Sequence, residues 1–398
     1  MHPILEILVN IVSVILKGFF DLIVLLVGGI PESKQNSKGS ASLMTGYQVR
    51  KILSVWNKGI TINGKVRLTE KDSTAHCLLL GQSSAGKTST IVIPSILNTK
   101  SNFIITDMDG SVFQKTSGKL KRDGYRIQVY NLGNLMLSEF FNSVFYCDKD
   151  DSKYKQLAEL IIEIAFPKGT QGSASFWNYG GIQAIYILLK VLKNADEKYQ
   201  NLANVRFLLQ RFHEDATKQF ISDKADADTW NEYLAFTSSE DSVLSNHITT
   251  ALVALDRFGE PNIAASMAKN TLSFQSLVED EKSCMFIIVP ERLLTHYRGV
   301  LSLLYTSFFN YVQEHRPSKT LYALLDEFGH LTLPDFAVIS TVLRRYNVSI
   351  TIVLQDLAQL NARYGNDGAS TIFNGSFATK ILFPGMPVSL ARDLSQRF

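Results

Sequence analysis

A phosphate-binding loop is the clearest chemical signal in the sequence. The segment GQSSAGKT matches the pattern GxxxxGK[ST], between the apolar stretch 76–80, predicted to be a buried strand, and the apolar stretch 91–97, predicted to be a helix. In this context backbone N–H groups and a helix N-terminus surround phosphate oxygens, so a glycine-rich turn that binds no nucleotide is the disfavoured alternative. We therefore expect ATP to bind at Gly81, Gln82, Ser83, Ser84, Ala85, Gly86, Lys87 and Thr88.

Two adjacent acids, Asp326 and Glu327, lie far downstream of the phosphate loop, directly after the apolar stretch 321–325. In a nucleotide-hydrolysing site Lys87 would reach the β and γ phosphates, while Thr88 and Asp326 would hold Mg²⁺. Glu327 would then polarise an attacking water. The alternative is a solvated acidic turn at the end of an ordinary strand.

Two further polar residues flank the next apolar strand, 348–354. Gln355 follows that strand, where its amide could sense the γ-phosphate or orient water. Arg344 precedes it, at the end of a predicted helix 336–343, and could donate positive charge to a phosphate on a neighbouring subunit. An arginine that caps the C-terminus of its own helix is the alternative.

Composition excludes several classes of protein. The 398 residues are 45% apolar and 19% charged, which rules out a disordered or collagenous chain. Lys plus Arg number 40 against 37 Asp plus Glu, so contacts with nucleic acid must come from local patches. The three cysteines have no CxxC spacing, and no HExxH or GxSxG motif occurs, which argues against a zinc site, a disulfide framework, a metalloprotease and a serine hydrolase.

The first thirty residues are dominated by an apolar run, long enough to cross a bilayer as a helix. A signal peptide is the weaker alternative, because the start is uncharged. Basic residues follow the run, so we expect a membrane anchor with the bulk of the chain in the cytoplasm. Polar residues recur along one face of the predicted helix and favour an oligomeric or interfacial anchor: Glu6, Asn10, Ser13, Lys17 and Asp21.

Strands and helices alternate around the phosphate loop, which predicts an α/β fold with a mostly parallel sheet. Strands are expected at 102–107, 125–130 and 284–290, in addition to those already named. From residue 151 the apolar period changes to 3.6, so a helical insertion is expected before the strand pattern returns.

With these motifs in place, the chain resembles the type IV secretion coupling proteins, the VirD4/TraG family of conjugation ATPases. Five segments carry the resemblance, and they are the phosphate loop 81–88, ITDMDG at 105–110, FW at 176–177, LDEFG at 325–329 and QDLAQL at 355–360.

The resemblance implies a membrane-anchored homo-hexamer with a RecA-like P-loop NTPase motor domain and an inserted all-α domain. On this sequence it assigns Lys87 and Thr88 to phosphate and Mg²⁺, Asp326 to Mg²⁺, and Glu327 to water activation. Gln355 would sense the γ-phosphate, and Arg344 would be the arginine finger. The implied divisions are an anchor at 1–30, a linker and entry at 31–70, the motor domain at 71–150 and 276–398, and the all-α domain at 151–275.

Three departures from the family pattern stand out. Where the family usually has Asp-Pro-Lys-Gly-Glu, this chain has DMDGS at 107–111, with Asp109 in the place of the lysine. A single apolar run replaces the usual two anchor helices. The chain also stops at Phe398, so we expect the second part of the motor domain to be truncated.

The function that these observations favour is an ATP-driven motor that moves DNA, single-stranded and relaxase-bound, toward a conjugation channel. Relaxase and channel proteins would be its partners, and ATP and Mg²⁺ its cofactors. Two alternatives stay open, a double-stranded DNA pump of the FtsK/HerA kind and a cargo receptor that binds nucleotide without hydrolysing it. A soluble P-loop kinase is disfavoured by the apolar run.

Overall fold

The structure is a computed structural model that describes residues 44–167, residues 174–385 and Arg392. The predicted anchor at 1–30, with its polar stripe, lies outside these residues. Among the described helices, none is both long and apolar enough to span a bilayer. The described residues divide into two compact units, one that contains residues 44–54 and Arg392 and one that contains the described part of residues 55–385.

The described part of the first unit begins with a capped helix. Helix α1 (Gly46–Ile52) is followed by the short strand β1 (Leu53–Ser54). The backbone N–H of Thr45 donates to Gln48 Oε1 at 2.8 Å, and the N–H of Gln48 donates back to Thr45 Oγ1 at 3.4 Å. This reciprocal pair is a capping box, so the helix start is encoded locally.

The second unit is built on strands of two kinds. Near its start β2 (Thr61–Ile62) pairs antiparallel with β3 (Val66–Leu68). The main sheet has seven parallel strands, which are β4 (Cys77–Leu80), β5 (Asn102–Asp107), β6 (Arg126–Asn131), β7 (Ser283–Ile288), β8 (Leu321–Leu325), β9 (Val348–Leu354) and β10 (Thr379–Leu382). Their order across the sheet is β10-β4-β9-β8-β5-β7-β6, which confirms the predicted parallel α/β architecture.

The sheet is apolar at its centre and more polar at its edges. Every residue of β4, β5, β7, β8 and β9 is buried, whereas β6 and β10 at the two edges are partly exposed. A strand buried on both faces is nearly continuously apolar, since helices cover it above and below. That is why these strands could be predicted from short apolar runs.

Helices connect the strands and form the long segment between β6 and β7. They are α2 (Glu70–Thr74), α3 (Ile93–Asn98), α4 (Ser111–Arg122), α5 (Asp151–Ala165), α6 (Ala174–Lys193), α7 (Leu202–Gln210), α8 (Asp215–Lys224), α9 (Ala227–Thr237), α10 (Asp241–Ala254), α11 (Pro261–Ser266), α12 (Phe274–Glu279), α13 (Leu294–Glu314), α14 (Phe336–Leu343) and α15 (Ala358–Ser370). The described residues from α5 to α12 contain no strand. They belong to the same compact unit as the sheet, so their division into a separate all-α domain stays a prediction.

The register of the sheet decides where the polar residues meet. Leu80 at the end of β4 pairs with Leu354 at the end of β9, and Leu325 at the end of β8 pairs with Ile352. Because parallel strands end at the same edge, the loops that follow them emerge together. The phosphate loop, the two acids and the glutamine therefore meet at the carboxyl-terminal ends of the strands.

A buried histidine joins β4 to its neighbours at the amino-terminal ends of the strands. His76 is fully buried, its Nδ1 accepts the N–H of Ile350 at 3.1 Å, and its Nε2 lies 2.7 Å from the carbonyl oxygen of Ser340. Since Nδ1 accepts a hydrogen bond, the proton of the neutral ring is on Nε2, which donates to Ser340. Burial lowers the pKa of His76 to about 4.

We predict that this histidine makes the fold acid-sensitive. The unfolded chain binds a proton at His76 below pH 6.5, whereas the folded chain resists protonation down to about pH 4, so stability falls as the pH is lowered through this window. Between pH 7.5 and pH 5 the loss in unfolding free energy should be about 2 kcal/mol. Denaturant unfolding followed by tryptophan fluorescence at both pH values measures it.

The matched control is His213, which is exposed. His213→Gln should keep the pH dependence of the wild type, whereas His76→Gln should lose most of it, whatever its stability at neutral pH. An unchanged pH slope in His76→Gln would show that the acid sensitivity has another source.

Candidate active site

The phosphate loop leaves β4 in a conformation that depends on two of its glycines. Gly86 has φ +90°, a left-handed value that an L side chain rarely adopts, and the loop turns on it into Thr88–Val92, a π-type turn that leads into α3. Gly81 is packed against Phe383, the residue that follows β10, since a Cβ at Gly81 would lie 2.5 Å from Cβ of Phe383. The loop is thus a compact turn between a strand and a helix, as the motif predicts.

Lys87 is folded back onto this loop. Its Nζ donates to the carbonyl oxygens of Gly81 at 2.5 Å and Gln82 at 2.8 Å, and the side chain is 6% exposed. Burial lowers the pKa of Lys87, while the carboxylates of Glu327 and Asp326 oppose that change. The ammonium group is therefore bonded to the loop carbonyls and lies within electrostatic reach of the two acids.

Thr88 and Asp326 meet across the site. Thr88 Oγ1 donates to Asp326 Oδ2 at 3.3 Å. Burial raises the pKa of Asp326 to about 6, and the adjacent Glu327 carboxylate adds to the rise. A hydroxyl and a carboxylate so placed are oxygen ligands of the kind that Mg²⁺ prefers.

Glu327 is oriented by Gln355. The backbone at Glu327 has φ +50°, and its N–H donates to Asp326 Oδ1 at 3.0 Å, so the two neighbouring side chains are turned into different positions. Gln355 Nε2 lies 2.9 Å from Glu327 Oε1 and 3.0 Å from Oε2, and donates to this carboxylate. The amide thus holds the acid in place from the end of the neighbouring strand.

These groups line one cavity of about 370 Å³. A volume of this size is within the range of small-ligand pockets. The cavity is lined by most of the loop, by the acids and the glutamine, and by residues from three other segments: Ser83, Ser84, Ala85, Gly86, Lys87, Thr88, Ser89, Ile93, Asp107, Met108, Asp109, Ser111, Lys115, Glu291, Asp326, Glu327 and Gln355.

Asp107 is a wall residue to which sequence reasoning gave no role. It ends β5, is 1% exposed, and its Oδ2 accepts the N–H of Phe113 at 2.8 Å, while Oδ1 has no hydrogen-bond partner. Burial raises its pKa. The available signal was its position, a polar residue directly after a buried strand.

Arg344 lies away from this cavity. It is in the turn that precedes β9, half-buried, and its Nη2 donates to the carbonyl oxygens of Gly375, at 3.0 Å, and Ser376. It is not among the residues that line the cavity of its own chain. Its role toward a neighbouring subunit stays a prediction.

The polar groups that line the cavity fit a nucleoside triphosphate with Mg²⁺. The loop offers backbone N–H groups beside a glycine at positive φ, Lys87 offers a buried ammonium, and Thr88 with Asp326 offers two oxygens. No group of three or more His, Cys, Asp or Glu arranged to hold a metal occurs in the described ranges. A metal here would therefore depend on the hydroxyl, one carboxylate, water and the phosphates themselves.

We predict that Mg²⁺-dependent nucleotide binding weakens in acid. With a pKa of about 6, Asp326 is ionised at pH 7.5 and mostly protonated at pH 5, where the neutral carboxyl group no longer attracts the cation. Affinity for Mg²⁺-ATP should fall about tenfold over that range, in proportion to the ionised fraction. Equilibrium binding of a fluorescent ATP analogue measures the change.

Two comparisons isolate Asp326 as the cause. Asp326→Asn should bind Mg²⁺-nucleotide weakly at both pH values, and the wild type in excess chelator should bind nucleotide with little pH dependence. A full pH effect in the chelator would assign the titration to another group.

Comparison with known proteins identifies the family of this chain. The family model described as "Type IV secretory system Conjugative DNA transfer" matches residues 33–388. Protein VirD4 of Rhizobium radiobacter is 23% identical over 323 residues, an alignment that spans 76% of this chain and 45% of that protein. The chain thus spans less than half the length of this curated relative.

Solved structures share the fold. A sulphate complex of the bacterial conjugative coupling protein TrwBdeltaN70 superposes with a TM-score of 0.68 at 18% identity and covers 89% of this chain and 80% of its own. The plasmid coupling protein TrwB in complex with ADP and Mg²⁺ gives 0.67 at 17% identity, with the same coverage. The match of the family model to most of the chain, around the loop and acids described above, shows that this protein belongs to the type IV secretory conjugative DNA transfer family.

Proposed function

We propose that this protein is an ATP-hydrolysing motor that drives the transfer of a single DNA strand, with a bound relaxase, into a type IV secretion channel. The observation that carries the proposal is the pairing of Gln355 with Glu327 beside the Thr88–Asp326 pair, at the mouth of a phosphate loop. Nucleotide binding alone does not require an oriented second acid, whereas hydrolysis needs a group that positions water.

The loop backbone and five side chains of the cavity have roles in this proposal. Backbone N–H groups of the loop and the ammonium of Lys87 hold the β and γ phosphates. Thr88 and Asp326 hold Mg²⁺, which supplies charge stabilisation at the phosphates. Glu327 accepts the proton of the attacking water, and Gln355 orients Glu327 and responds to the γ-phosphate.

The remaining parts of the proposal come from the family and from the sequence. Residues 1–30 form the membrane anchor, and the helices of residues 151–275 form an all-α domain inserted in the motor. The chain works as a homo-hexamer in which Arg344 reaches the nucleotide of the neighbouring subunit. Relaxase and channel proteins are its partners.

We predict that hydrolysis depends on the Glu327 carboxylate and is stimulated by a single DNA strand. Turnover of ATP by the detergent-solubilised chain should rise when single-stranded DNA is added. Glu327→Gln keeps the shape of the side chain but removes the base, so turnover should fall at least about 100-fold while ATP affinity stays within about twofold. Phosphate release and equilibrium nucleotide binding measure the two quantities.

Glu281→Gln, at an exposed acid that does not line the cavity, is the control and should behave as the wild type. Stimulation by duplex DNA alone would favour a double-stranded DNA pump. A folded chain that binds ATP without any turnover would instead indicate a cargo receptor and contradict the motor.

We also predict that Gln355 acts on turnover and not on binding. Gln355→Ala leaves the Glu327 carboxylate without the amide that orients it, so turnover should fall by about 100-fold with nucleotide affinity unchanged within about twofold. Gln275→Ala, which removes an exposed glutamine paired with Glu279, is the matched control. A loss of ATP affinity equal to the loss of turnover would show that Gln355 serves binding.

A further inference from the structure

The turn that follows Glu327 is held between two helices. Residues 328–333, here called the carboxylate turn, are bonded to α13 on one side, where Ser302 Oγ donates to the carbonyl oxygen of Thr332 at 2.5 Å. On the other side, the N–H of Leu333 donates to the hydroxyl of Tyr364 on α15 at 3.1 Å. A displacement of either helix is therefore transmitted to the turn.

Each of these helices carries an arginine beside its contact with the turn. Arg298 precedes Ser302 by one helical turn on α13, and Arg363 is next to Tyr364 on α15. Both side chains are half-buried. Each therefore lies at the border between the protein interior and solvent, next to the segment that bears Glu327.

The two guanidinium groups have no carboxylate partner among the described residues. Neither takes part in any ion pair there, and Arg298 Nε is buried without a hydrogen-bond partner. Burial lowers the pKa of Arg298, and the positive charge of Arg363 lowers it further, so the two charges are near enough to repel. Keeping two like charges partly out of water without a counter-charge raises the free energy of the folded chain, and an anion bound between them would lower it.

A chain of contacts joins Arg363 to Glu327. Arg363 Nε donates to the carbonyl oxygen of Gly329 at 3.4 Å. Gly329 is packed against Gln359, because a Cβ there would lie 2.3 Å from Gln359 Oε1. That same oxygen accepts the N–H of Gln355 at 3.3 Å, and the Gln355 amide donates to Glu327.

We propose that Arg298 and Arg363 bind a backbone phosphate of a nucleic-acid strand, and that this contact sets the position of Glu327 through the carboxylate turn. The guanidinium fork matches the geometry of phosphate oxygens. Neither arginine lines the nucleotide cavity of its own chain, so the phosphate is not that of the nucleotide bound there. The inference rests on the proposed function, because it assigns a site at which the strand stimulates hydrolysis.

The test uses the full chain in detergent with the variants Arg298→Gln and Arg363→Gln and their combination. The probe is a fluorescein-labelled oligothymidylate, whose binding is followed by anisotropy over a series of salt concentrations. Loss of this phosphate contact in the double variant should reduce the slope of log K against log salt by about 0.7, and each single variant should reduce it by part of that amount. The ratio of turnover with strand to turnover without it should fall toward one.

Two further variants separate charge from position. Arg316→Gln removes an exposed arginine bonded to Asn347 and should leave the salt slope unchanged. Arg363→Lys keeps the positive charge but lacks the Nε–H that reaches Gly329, so it should keep most of the salt slope and lose most of the stimulation. Because lysine conserves the charge, this variant and Arg298→Lys also keep the test valid if a glutamine variant fails to fold in a thermal unfolding check.

The outcomes distinguish this inference from the proposed function. A wild type that binds no strand and hydrolyses no ATP contradicts both. A working wild type whose double variant has normal strand affinity, salt slope and stimulation overturns the arginine site alone. If the double variant loses unstimulated turnover but binds the strand normally, the arginine pair contacts a nucleotide on a neighbouring copy. If inorganic phosphate stabilises the wild type against thermal unfolding, and the double variant loses this effect without any change in strand binding, the pair binds a free anion. Either result overturns the proposal.

Discussion

The parallel pairing of β4, β9, β8 and β5 is the constraint on which the rest of the structure depends. All four strands are fully buried, so their backbone groups are satisfied by one another and helices cover both faces. Charged residues are therefore absent from the interior of these strands and accumulate where the strands end. Because the pairing is parallel, all of those ends lie at one edge, and the chemistry of the chain is concentrated there.

The charged side chains at that edge influence one another because they lie close together. Asp326 and Glu327 are adjacent in sequence and share a partly buried site with Lys87, so each charge there influences the others. The positive φ at Glu327 and the bond from its own N–H to Asp326 turn the two carboxylates apart. One acid then faces Thr88 and the other faces Gln355, which gives two like side chains two different tasks.

The departure from the family pattern at Asp109 has a local structural basis. Its carboxylate accepts the N–H of Ser111 at 2.9 Å, next to Gly110 at φ +76°. Hydrogen bonding from Ser111, through its side chain first and its N–H second, lowers the pKa of Asp109. The acid therefore supports the start of α4, and it also lines the nucleotide cavity. An acid in place of a lysine makes this wall of the cavity more negative, beside Asp107.

Sequence alone determined the elements whose signal is local. The phosphate loop, the apolar strands and the acids at 326–327 follow from motif and period, and strand boundaries agree within about two residues. Only the tertiary structure decided the strand order, the pairing of Gln355 with Glu327 and the uncompensated arginines on α13 and α15. These depend on contacts between residues far apart in the chain, and hydrophobic periodicity records which face of an element is buried but not which element covers it.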